Sequence, residues 1–118
     1  MTYDLIHNGE AIPTVDMPAI TKALAAFDAD QYEDNFVVLS PEPAIAGSIY
    51  LQSALISDPG QAKRYVIETR LVSDDQAFRH YSHETDSLDE VQQIFAEYFL
   101  HQQLPPLADW TDITQQFA

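Results

Sequence analysis

The chain has 118 residues, the size of one domain with one hydrophobic core, and 19 acidic against 5 basic residues give it a formal net charge of −14. With no cysteine, thiolate zinc sites, disulfides and cysteine nucleophiles are excluded, while the compartment stays open. Nucleic acid and anionic membranes are poor partners for such a field, because binding them relies on Lys and Arg meeting phosphate.

Lys63, Arg64, Arg70 and Arg79 fall in one stretch and leave only Lys22 elsewhere, so most of the surface is expected to be uniformly negative. A basic protein partner fits such a surface, since complementary fields speed encounter. Acidity that serves only solubility remains the bland alternative. The opening Met1 to Glu10 has no basic or long apolar run, and no stretch reaches the roughly 18 to 20 apolar residues of a membrane span, so a cytoplasmic protein is expected.

In chain order, Tyr3 to His7 reads as a short strand and Asn8-Gly9 as a turn, with Pro13 arguing against a full hairpin arm after it. A helix is signalled from Asp16 by a capping side chain, by Pro18 in the first turn, and by Met17, Ile20, Leu24 and Phe27 at helical spacing. After an acidic loop from Asp28 to Asn35 come four β-favouring segments, Phe36 to Leu39, Ser48 to Ile56, Lys63 to Val72 and Phe78 to His83. Pro41-Glu42-Pro43 with Gly47, Ser57-Asp58-Pro59-Gly60 and Ser73-Asp74-Asp75 separate them, and such short connections predict antiparallel neighbours. Tyr65, Ile67, Thr69 and Leu71 share one face of the third segment and Arg64, Glu68 and Arg70 the other, which predicts a sheet wet on one side.

Ser87 with Glu90 three residues on predicts a capping box, followed by the apolar stripe Leu88, Val91, Ile94, Phe95, Tyr98 and Phe99. Pro105-Pro106 ends that region. Trp110 reads as a packing anchor that, with Ile113 and Phe117, closes a short helical turn on the domain edge. The expected architecture is one α+β domain over residues 1–118, an antiparallel sheet of four to five strands with two amphipathic helices on one face, in the order β-α-β-β-β-β-α.

Candidate chemistry is thin. His80 and His83 point to opposite faces of a strand, and with no HExxH helix or thiolate they read as exposed strand histidines, not ligands. Arg70, Arg79 and His80 are expected to pair with Glu68, Asp74 or Asp75. Asp74-Asp75 and Asp89-Glu90 have no apolar surroundings that would tune them for acid/base work. No GxSxG, P-loop, GxGxxG or calcium-loop pattern occurs, and three glycines make a phosphate cradle improbable. The expectation is a non-enzymatic protein with no catalytic, cofactor-binding or metal-ligating residue.

A capped first helix, the runs DQYEDNFVVL, SIYLQSAL, RYVIETRL, FRHYS and DEVQQIFAEYF, and the late Trp110 together give the chain an order of features that resembles the small α+β immunity proteins of bacterial polymorphic-toxin and contact-dependent inhibition systems. The similarity lies in element order and apolar placement over most of the chain. It implies a cytoplasmic protein that binds a cognate toxin domain, often a nuclease or deaminase, and blocks its active site. No residue role transfers with it.

Charge density suggests where such a partner would touch: Asp28, Asp30, Glu33 and Asp34 in the first long loop, Asp74 and Asp75 in a turn, and Glu84 and Asp86 before the second helix. The competing expectation is a housekeeping or regulatory interaction module, homodimeric through the wet sheet face or a strand edge. A small enzyme or ligand carrier is the third.

Overall fold

A computed structural model of the chain describes residues 1–28, 35–58 and 60–117. Its elements are β1 (Thr2–His7), β2 (Glu10–Ala11), α1 (Met17–Ala25), β3 (Phe36–Glu42), β4 (Ser48–Leu55), β5 (Tyr65–Val72), β6 (Phe78–Thr85), α2 (Leu88–His101) and β7 (Thr111–Asp112), with short 3-10 turns at Ala26–Asp28, Leu107–Asp109 and Thr114–Phe117. They form one antiparallel seven-stranded sheet in the order β2-β1-β3-β4-β5-β6-β7. The α+β class and the paired helices are as expected. The strand count and the element order differ, because a two-residue strand has been added at each edge of the sheet.

Asn8 and Gly9 both take positive φ, 53° and 85°, which closes a two-residue hairpin between His7 and Glu10. Its second arm stops at Ala11, ahead of Pro13. β3 runs three residues past the expected end at Leu39, through Pro41. Its pairing with β4 ends at Leu39 opposite Leu51, while pairing with β1 continues to Glu42, so the missing proline N–H costs no ladder bond on the β4 side. The chain breaks instead around Pro43 to Gly47. β5 starts at Tyr65, not Lys63, and β6 continues past His83 to Thr85.

Both helices start as the sequence predicts. The Asp16 carboxylate accepts from Ala19 N–H at 2.9 Å, and the Ser87 hydroxyl accepts from Glu90 N–H at 3.2 Å. The capping box is only half made. Ser87 N–H donates to the Thr85 hydroxyl at 3.1 Å, and the Glu90 carboxylate turns to His83 Nε2 at 3.0 Å. Thr85 and His83 hold that carboxyl below the usual range.

The core lies between the helices and one sheet face. Ile20, Leu24 and Phe27 from the first helical stretch and Val91, Phe95 and Tyr98 from α2 pack with Leu5, Val37, Leu39, Leu51, Tyr65 and Ile67. Two polar devices are built into it. Ser48 Oγ meets both Tyr98 Oη and Thr69 Oγ1 at 2.7 Å, and Asn35, 1% exposed, donates to Ala26 O at 2.9 Å and meets His7 Nε2 at 3.2 Å. Burial pushes the Tyr98 hydroxyl up to about 12.

Candidate functional site

Directly paired residues share a sheet face, so the register assigns Phe36 and Val38, Tyr50, Gln52 and Ala54, Val66, Glu68 and Arg70, and Phe78, His80, Ser82 and Glu84 to the face opposite the helices. Over β5 this is the division expected between a dry and a wet side. The wet side is only partly wet, because the C-terminal segment wraps around the β6 edge onto it.

Trp110 anchors that strap on the helix side, 8% exposed and stacked on the His83 ring at 5.4 Å with 14° between planes. Thr111 and Asp112 then pair with Ser82 and Tyr81, and Ile113 N–H donates to His80 O at 2.8 Å. Thr114 Oγ1 accepts from His80 N–H at 2.9 Å, and Phe117 reaches the other face, its ring 4.4 Å from that of His80. The Arg70 guanidinium sits 4.4 Å from the Phe78 ring centre and 4.7 Å from that of Phe117.

His80 is therefore buried, 1% exposed, which corrects the expectation of an exposed strand histidine. The cause is tertiary cover by a segment distant in sequence. His80 Nε2 lies 2.6 Å from Glu68 Oε1, Arg70 Nε–H donates to His80 Nδ1 at 3.2 Å, and Gln52 Nε2–H donates to the same Glu68 oxygen at 3.3 Å. Of the pairings expected for the basic group, that of His80 with Glu68 forms. Arg79 instead pairs with Asp112 at 3.7 Å, and Arg70 is held by His80 and the two rings. His83 faces the helix side, so the two histidines do point apart.

Among the described residues, two grooves mark the open face. One of about 580 Å³ runs between β5, β6 and the strap and is lined by Ile56, Val66, Glu68, Glu84, Asp109 and Ile113 among others. A smaller one of about 340 Å³ lies over Phe36, Gln52, Ala54, Val66 and Glu68. They meet at Val66 and Glu68. A third depression of about 590 Å³ sits at the β5–β6 turn and includes Asp74 and Arg79.

The acidic residues picked out by charge density do not form one surface. Asp74 and Asp75 lie at the end of the sheet where Val72 pairs with Phe78, whereas Glu84 and Asp86 lie at the opposite end, where Tyr65 pairs with Thr85. Asp28 closes the 3-10 turn Ala26–Asp28. Asp30, Glu33 and Asp34 lie outside the described residues. Asp75 is spent on its own turn, where its carboxylate accepts from Ser73 Oγ–H and from Ala77 N–H at 3.1 Å, bonds that lower its pKa. Glu84 is bonded to Arg64 at 3.0 Å. Asp74 and Asp86 are exposed.

Sequence reasoning assigned Glu68 only a pairing role. Its position at the junction of the grooves follows from the alternation of β5, but the grooves themselves depend on the strap. Among the described residues, no group of three or more His, Cys, Asp and Glu is placed to hold a metal ion, and no helix is long and apolar enough to cross a membrane. Comparison with protein-family models, with curated proteins and with solved structures finds no match to this chain.

Proposed function

We propose that the protein is a non-enzymatic acidic binding protein, an immunity protein that neutralises a cognate bacterial toxin domain by occupying its basic active-site surface. The observation that carries this reading is charge. Acidic residues outnumber basic ones 19 to 5, and Arg64, Arg70 and Arg79 are engaged within the fold by Glu84, by His80 with two phenyl rings, and by Asp112. The net outward field is therefore strongly negative. A toxin that acts on nucleic acid needs a basic surface, and carboxylates can stand on it in place of phosphate.

The test is capture from the source cell with the full chain as bait at low and high salt, followed by co-expression of the captured domain. The reading expects one basic domain, bound more weakly at high salt, whose expression arrests growth unless this protein is present. A captured domain that is harmless alone, or that is acidic and salt-insensitive, would overturn it.

A homodimeric interaction module is the second reading, and the observation in its favour is apolar exposure on or beside the open face, at Ile56 (45%) and Phe117 (47%). Dimerisation by edge addition is less favoured, since two-residue strands close both sheet edges. Sedimentation across a dilution series decides this: a concentration-dependent dimer supports the second reading and a monomer throughout removes it.

A further inference from the structure

We propose that the open sheet face is the docking surface and that its groove beside Glu68 receives an arginine side chain of the partner, with an apolar neighbour of that arginine seated on Val66 and Ile56. This rests on the reading that the partner is a basic protein, and it replaces the charged loops and turns with a strand residue as the centre of recognition.

Shape comes first. The two open-face grooves meet at Val66 and Glu68, so one half-buried carboxylate stands between two depressions, with Phe36 and Ala54 on one side and Ile56 and Ile113 among the lining residues on the other. The Glu68 side chain is 21% exposed. Such a carboxylate has lost much of its water and attracts a cation more strongly than one on an open loop.

Rigidity comes second. His80 Nε2 at 2.6 Å and Gln52 Nε2 at 3.3 Å both contact Oε1, from the strands on either side of β5, and Phe117 roofs His80. The carboxylate is thereby fixed before the partner arrives, with Oε2, which has no hydrogen bond among the described residues, left to accept from it. A side chain already held in its bound geometry costs little further ordering.

Charge complementarity names the occupant. The larger groove is lined by the carboxylates of Glu68, Glu84 and Asp109 and by one cation, Arg64, which is already bonded to Glu84 at 3.0 Å. That excess selects a cation. A carboxylate edge favours a planar guanidinium over an ammonium, which is more strongly hydrated. Tyr50 and Arg70, which share this sheet face and contact His80, are of the residue types that concentrate binding energy at interfaces.

The experiment uses the isotope-labelled full chain and two blocked peptides, acetyl-Leu-Arg-Leu-amide and acetyl-Leu-Gln-Leu-amide, titrated by NMR. The arginine peptide is expected to shift Ala54, Val66 and Ile113 saturably, and the glutamine peptide to bind about tenfold more weakly. Glu68→Gln should weaken the arginine peptide about tenfold, and Asp74→Asn less than about twofold. Should Glu68→Gln disturb the fold, Ser82→Lys serves in its place: Ser82 lies directly opposite Glu68 on β6, and a lysine there supplies an internal cation that should abolish binding.

Equal binding of both peptides, shifts spread over the whole acidic surface, or indifference to both substitutions would overturn the groove. The outcome also separates the groove from the wider reading. A captured basic toxin whose binding ignores Glu68→Gln would overturn the groove alone, whereas confined arginine-peptide binding in a protein that captures no basic partner would overturn the immunity reading alone.

Discussion

Arg70 Nε–H donates to His80 Nδ1 at 3.2 Å, and this single contact fixes which imidazole nitrogen carries the proton. An arginine has no acceptor to offer, so Nδ1 must be the bare nitrogen and Nε2–H must be the donor to Glu68 at 2.6 Å. The buried ring thus serves as a spacer between a cation and an anion on the open face. Long-range nitrogen–proton correlation at pH 7 should show His80 as the Nε2–H tautomer. His80→Ala, which leaves Arg70 and Glu68 without their common partner and opens a cavity under Phe117, should cost about 2 to 4 kcal/mol in urea unfolding.

The strap is expected to be held chiefly at its Trp110 end. Trp110 is 8% exposed and stacked on His83, whereas Phe117 is 47% exposed. Trp110→Ala should therefore cost about 3 to 5 kcal/mol and Phe117→Ala about 1 kcal/mol, measured by denaturant midpoints at constant m. Equal costs would mean that the two ends of the strap are anchored alike.

Alkaline stability follows from Tyr98. Its hydroxyl is raised by burial to about 12, while in the unfolded chain it titrates near 10. Because the folded value is the higher one, the contribution is fully present below pH 10 and is lost as pH rises from 10 through 12. The loss should amount to roughly 2 to 3 kcal/mol. Tyr98→Phe should shrink this limb of the pH profile, leaving the part due to Tyr50, whose hydroxyl burial also raises, while costing about 1 kcal/mol at pH 7 through the lost bond to Ser48.

At the start of α2 the two halves of the expected capping box should separate in their effects. Ser87→Ala removes the acceptor for Glu90 N–H and should cost about 1 kcal/mol. Glu90→Gln leaves Ser87 N–H on Thr85 and should cost less than about 0.5 kcal/mol, read from thermal midpoints.

Local signals located most of the fold. Asp16, Ser87 and Asn8-Gly9 act through bonds or dihedrals within a few residues, so the helix starts and first turn were legible in order. Pro41 and the edge strands were not, because each depends on where a neighbouring strand stops or begins. Thr111–Asp112 is too short to carry a period-2 pattern, and it is a strand only because the β6 edge is available to it. The candidate site suffered most from this. Charge density pointed to Asp74, Asp75, Glu84 and Asp86, which fall at opposite ends of the sheet, while the half-buried Glu68 gains its setting from a strap that begins some 40 residues away in sequence, at Leu107. No property of β5 alone announces that cover.

Docking of a basic partner on the open sheet face is tested most directly by methyl NMR of the complex with the captured domain. Val38, Ala54, Val66 and Ile113 should shift and broaden on binding, while Leu100, exposed on α2, keeps its free position. Shifts concentrated at Leu100 and the helix side, with the open-face methyls unmoved, would contradict it.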